Sequence, residues 1–239
     1  MSGCSRSSTE HWATRGSAAP AGKRWKCKRG ETVSESVSRI PETRKAQRTR
    51  ARLVEATEAE ISESGFFTAE RVAARAGTSV ATFYSHLPTK DAALTAAFGG
   101  VMDALVAVVD EHLSVERLLD RGLEVVSKDF VAACLDFFTA RSLVFRCALA
   151  RMPEHRPLRE VYRAHESDAF SRYTRFVELG QAAGKIGSGD PETLARTLLV
   201  LSQGLNNPLA LGLVDGDPLG EQLARLVLVL LAPKIGERG

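Results

Sequence analysis

The side chains whose types and spacing could do chemistry are concentrated in one stretch, residues 68–94, TAERVAARAGTSVATFYSHLPTKDAAL. Thr68, Ser79 and Thr89 each stand where a hydroxyl can cap a helix, and Asp91 follows in a first turn. Gly77 separates two short helical segments, 68–76 and 79–87, and Leu87-Pro88 ends the second. The small residues Ala73, Ala76 and Ala81 let two helices approach closely. Two short helices around a glycine turn form a DNA-reading geometry. The second lies in the major groove and the first crosses the backbone. The implied chemistry is non-covalent recognition of a polyanion.

Covalent chemistry finds little support. Cys134 and His165 could be paired as thiol and imidazole, but they lie far apart in sequence without supporting context. There is no glycine-rich phosphate loop and no metal-ligand spacing. The chain is therefore expected not to be an enzyme and to need no cofactor. Cys4, Cys27, Cys134 and Cys147 form no CxxC pair and fit reduced thiols of a cytoplasmic protein. No run of 18 consecutive apolar residues occurs, so no membrane span is expected.

The 239 residues, 44% of them apolar, suffice for a real core, and the weight of Ala and Leu favours helix. The net charge of +3 is unevenly placed: residues 1–41 carry eight Arg or Lys against three Glu. A polyanionic partner at that end fits the asymmetry. Residues 1–40 are rich in Ser, Gly, Arg and Lys without a sustained period and are expected to be disordered. An arm that touches DNA, a transit peptide and a misplaced start codon are the alternative readings.

Helices must position the 68–94 stretch. Pro41 fits a first helical position, and a helix is expected from there to about Ser64, stopped by Gly65. Arg44, Lys45, Arg48, Arg50 and Arg52 crowd its first half and glutamates its second, opposite to what the helix dipole prefers. A solvated face and a basic end held near phosphate both fit that pattern. A long apolar helix is expected behind Thr89. The chain stays helical beyond Leu113, with a break bracketed by Pro153 and Pro157 and a helix over 158–183. A glycine loop at 184–189, a helix over 191–207, a turn at 215–218 and an aliphatic helix over 219–232 complete the reading. No strand is expected, so the fold class is all-α.

Residues 53–98 resemble the N-terminal domain of the TetR family of bacterial transcriptional regulators. The matching residues are Leu53-Val54 with Ala56, Gly65-Phe66, Thr68, Val72-Ala73, Ala76-Gly77, Ser79, Thr82-Phe83-Tyr84, His86-Leu87, and Lys90 with Leu94. The string S-x-x-T-F-Y-x-H-L-x-x-K is the most specific part. The resemblance implies a three-helix helix-turn-helix domain over 41–98 and a helical effector-binding and dimerisation domain over 99–239. It implies a sequence-specific regulator of the repressor type, released from double-stranded operator DNA by a small-molecule effector. A non-enzymatic helical interaction module without specific DNA binding is the alternative.

The resemblance implies that Thr68, Ser79, Val80, Ala81, Thr82, Tyr84, His86 and Lys90 face DNA. The hydroxyls of Thr68, Thr82 and Tyr84 and the charge of Lys90 suit phosphate, which sets register. Ser79, Val80 and Ala81 are left to read bases, by contact with thymine methyls more than by paired hydrogen bonds. Tyr84 could instead be a partly buried core aromatic. Arg44, Lys45 and Arg48 join the phosphate set if the first helix docks as in the family. The chain departs from the family at Ala81, often Gly; at Glu60, usually apolar and here expected at a surface edge; and in a shorter link from Gly65 to Thr68. The resemblance further implies a homodimer through the helices near 191–207 and 219–232. A mostly apolar effector site drawn from Phe130, Cys134, Phe137, Phe138 and Phe145 is expected. Met152, Tyr162, His165 and Phe170 complete the candidates, for each of which ordinary core is the stronger alternative.

Overall fold

The computed structural model describes residues 43–207 and 218–233, and among them every regular element is an α-helix. The expected disorder of residues 1–40, Pro41 and the turn residues 215–217 lie outside the described residues.

Helix α1 (Arg44–Ser64) starts behind Thr43, whose side chain accepts from the Ala46 amide at 3.2 Å, and not at Pro41. It ends where the Gly65 amide returns to the Ile61 carbonyl. Its buried face is Leu53, Ala56, Thr57, Glu60 and Ile61. Helices α2 (Ala69–Arg75) and α3 (Val80–His86) follow as the two short helices, and α4 (Lys90–His112) as the long one. The turn between α2 and α3 needs Gly77, whose φ of 63° is open to glycine and strained for other residues.

Helix α5 (Val115–Arg151) is capped by Ser114 and interrupted at Gly122, with φ 77° and ψ 163°. No break was expected there. Arg117 and Arg121 both reach Asp129 across it, at 2.9 and 2.7 Å. Helix α6 (Arg156–Ala182) begins two residues before the expected 158, because Pro157 sits inside its first turn, where a missing N–H costs nothing. Helix α7 (Pro191–Gly204) is capped by Asp190 and is shorter than the expected 191–207; helix α8 (Pro218–Leu231) closes the described chain.

Two hydrophobic clusters hold these helices. The smaller joins Leu53 and Ala56 of α1, Val72 and Ala73 of α2, Phe83, Leu87 and Ala93. The larger begins at Ile61, Leu94 and Phe98 and runs through α5 to Val177, Leu198 and Leu231. Phe67, in the link between α1 and α2, packs against both. Among the described residues α4 alone is long and apolar enough to cross a membrane. Here its apolar side is core, packed against α1, α5 and α6.

Candidate nucleic-acid interface and core cavity

The three helix starts of the 68–94 stretch are built as the hydroxyl pattern predicts. Thr68 Oγ1 accepts from the Arg71 amide at 3.3 Å, Ser79 Oγ from the Thr82 amide at 3.1 Å, and Thr89 Oγ1 from the Ala92 amide at 3.0 Å. Ser79 and Thr82 also share a hydroxyl–hydroxyl bond of 2.9 Å. Val72, Phe83 and Leu87 are buried, which anchors α2 and α3 from below. Tyr84 is 44% exposed, so it is not a core aromatic; its ring meets Phe83 edge-on. Ser79, Ala81 and Lys90 are exposed; Thr68, Val80, Thr82 and His86 are half-buried. Arg44, Lys45, Arg48, Arg50 and Arg52 are exposed along the first half of α1, and none forms an ion pair among the described residues.

Glu60 corrects an expectation. It is not at a surface edge but buried, with 4% of its surface exposed. Arg75 Nε donates to its Oε1 at 2.7 Å, and Arg71 Nε lies 2.6 Å from its Oε2. Both guanidinium groups come from α2, so the carboxylate ties α1 to α2 across the short link. Arg75 reaches Glu63 as well, and the Arg71 guanidinium lies 5.1 Å from the centre of the exposed Phe66 ring. Helix α2 thus carries its own cations already paired, in contrast with those of early α1.

Helix α5 holds the 68–94 region from the other side. Arg151 grips Asp91 through two bonds of 3.0 Å, one residue from Lys90. The Cys147 thiol donates to the Gly65 carbonyl at 3.0 Å, and Arg141 lies 3.5 Å from Glu58. The Arg151 guanidinium holds the Asp91 carboxyl below its ordinary value.

A cavity of about 340 Å³ opens between α4, α5, α6 and the end of α7. Of the nine sequence candidates it gathers Cys134, Phe138, Phe145, Tyr162 and His165. The other four stand elsewhere. Phe130 is core, edge-on to Tyr173; Phe137 and Phe170 lie beneath the guanidinium groups of Arg141 and Arg196; Met152 sits at the end of α5. Sequence reasoning missed Met102, Leu105 and Val109 of α4, and Glu166, Tyr173, Ser202 and Gln203. A signal was present: Tyr162, Glu166, Ala169 and Tyr173 recur at i, i+4, i+7 and i+11, one stripe of α6.

Cys134 and His165 both line this cavity, without forming a nucleophile. Burial pushes the Cys134 thiol up to about 12. Both ring nitrogens of His165 are engaged, Nδ1 with the Val161 carbonyl and Nε2 with Asp103, each at 2.8 Å. Among the described residues no three of His, Cys, Asp and Glu gather as a metal site.

No protein-family model matches the chain, and no curated protein matches it in sequence. Solved structures do share its fold. A protein of Mesorhizobium loti, described as a TetR-family transcriptional regulator, superposes with a TM-score of 0.63 at 19% identity, over 80% of this chain and all of its own. The SmeT–triclosan complex superposes at 0.57 with 22% identity, over 79% of this chain and 93% of its own. The multidrug-binding protein EbrR, complexed with imidazole, superposes at 0.56 with 20% identity, over 80% of this chain and 98% of its own. At these identities the likeness is one of fold: N-terminal helices of helix-turn-helix type followed by a helical bundle, as in TetR-type regulators.

Proposed function

We propose that the chain is a transcriptional regulator whose α2–α3 pair reads operator DNA and whose cavity takes a small effector. The carrying observation is the capped reader helix α3, with Tyr84 exposed on it and Lys90 just beyond. Tyr84, Thr68, Thr82 and Lys90 supply phosphate contacts, and Arg44, Lys45 and Arg48 extend them along α1. Ser79, Val80 and Ala81 meet base edges, and His86 lies at the margin of the contact. In this reading residues 41–98 form the DNA-binding domain and 99–239 the regulatory one. SmeT with triclosan and EbrR with imidazole support a small-molecule ligand for the fold. The protein acts as a cytoplasmic homodimer through α7 and α8, where Val200, Leu226 and Val229 leave apolar surface exposed. A two-fold dimer places its readers on a pseudo-palindromic operator. Repression released by the effector follows if the ligand favours a reader spacing the operator does not fit.

The test is a titration against the promoter fragments beside its own gene, at two salt concentrations. Specific binding should exceed binding to random DNA by about 10³ or more and weaken with salt. Tyr84→Phe and Lys90→Ala should weaken binding to all sequences alike. Affinity no better than for random DNA would replace this reading with a helical interaction module. A variant that altered only base preference would overturn its phosphate role.

A further inference from the structure

The charges on the cavity wall select its ligand. Among the described residues no Lys or Arg lines the cavity, and Glu166 is its one carboxylate. Glu166 is half-buried; its Oε1 accepts from the Gln203 side-chain amide at 2.9 Å. Its Oε2 has no hydrogen bond or ion pair among the described residues. That oxygen takes no protein donor or protein cation among the described residues, so a ligand cation in the cavity can pair with it. His165 does not supply a protein cation there, because both its nitrogens are turned to other oxygens.

The rest of the wall suits the same partner. Phe138, Phe145, Tyr162 and Tyr173 present aromatic surface, and ring faces attract positive charge. Burial, then the Glu166 charge, pushes the Tyr162 hydroxyl above its ordinary value, keeping it a neutral donor. Met102, Leu105 and Leu199 give the ligand's body an apolar bed. The volume of about 340 Å³ is at the small end of ligand pockets, so the body is compact.

We propose that the cavity takes a lipophilic amine, an aromatic or aliphatic body with one cationic nitrogen, and that the Glu166 carboxylate is its counter-ion. The inference rests on the reading of this cavity as an effector site. An anionic ligand meets no Lys or Arg among the described wall residues, and a neutral one gives Glu166 no counter-charge.

Calorimetric titration of the full chain with phenylbutylamine, phenylbutanol and phenylbutyrate, matched in body, tests it. The amine should bind about tenfold or more tighter than the alcohol, and the carboxylate weakest. Glu166→Gln should remove the amine's advantage while keeping the alcohol's affinity. Ala169→Phe, which fills the cavity, should abolish binding of all three. Equal affinity for amine and alcohol, or an amine preference that survives Glu166→Gln, overturns the charge inference and leaves the cavity standing. Amine binding that survives Ala169→Phe places the site elsewhere and overturns it. If none of the three binds, the cavity falls as an effector site together with the inference. Glu166-dependent amine binding that leaves DNA affinity unchanged upholds the inference and removes the regulatory coupling instead.

Discussion

Glu60 and Asp91 show how single carboxylates tie neighbouring helices together, α1 to α2 and α4 to α5. Both are acids on helices that carry apolar neighbours, and both are held by arginines from another helix. Glu60 takes Arg71 and Arg75 from α2, and Asp91 takes Arg151 from α5. The Asp91 pair has a pH signature. Hydrogen bonding to Arg151 lowers the folded pKa below the unfolded value of 3.8. The unfolded chain therefore binds the proton first as pH falls, so the pair's contribution is present above about pH 4 and lost through the lowered folded value. Urea midpoints of the wild type and Arg151→Met should differ by a constant amount from about pH 7 to 5 and converge below about pH 4. A gap that persists to about pH 2 would show that Asp91 protonation is not what the pair is coupled to.

Elements here begin and end on short-range chemistry. Hydroxyl or carboxylate caps at Thr43, Thr68, Ser79, Thr89, Ser114 and Asp190 start six of the helices; those at Thr68, Ser79 and Thr89 are expected from a few residues, while those at Thr43, Ser114 and Asp190 are not. The interruption of α5 is different. Gly122 holds φ 77° and ψ 163°, a region essentially closed to residues with a Cβ. Gly100, by contrast, is a helical, exposed position of α4 where an added Cβ meets nothing within 4 Å. Gly122→Ala should destabilise by about 1–3 kcal/mol, whereas Gly100→Ala should stabilise by about 0.5–1 kcal/mol. Thermal or urea melts of the two variants check the pair. Equal effects would mean that α5 straightens through residue 122 without cost. The basic early half of α1 works against its own dipole and forms no ion pairs among the described residues, an arrangement that phosphate would relieve.

At the scale of the molecule, α7 and α8 leave apolar surface uncovered. Val229 is 74% exposed, Val200 62% and Leu226 53%. A second copy covering this face should appear as twice the chain mass in sedimentation at micromolar concentration. Val229→Asp should shift that species to the monomer with helical content unchanged, because a charge in a desolvated interface is left unpaired. A wild-type monomer would rule out the α7–α8 interface. The proposed coupling also belongs to this scale. Helix α5 lines the cavity with Cys134, Phe138 and Phe145 and, further along, holds Gly65 and Asp91 through Cys147 and Arg151. One continuous helix segment therefore touches both the cavity and the start of α4, a physical route by which the proposed reader and effector sites can bias each other.

The residues of 68–94 were legible by themselves because caps, a glycine turn and a short apolar face act over three or four positions. Thr68, Ser79, Thr89 and Gly77 need no distant partner to declare their role, and the all-helical class follows from the same local periodicity. The burial of Glu60 was not legible, since it depends on two arginines more than ten residues away folding over it. Nor could the sequence separate cavity wall from core. Phe137 and Phe138 are neighbours of one type, yet helical rotation turns one toward Arg141 and the other to the cavity. Glu166 reads as any surface acid until the fold sets it on the same cavity wall as residues of α4 and α5, with Gln203 of α7 bonded to it. Charge and packing act through space, and only the tertiary structure decides which distant groups share that space.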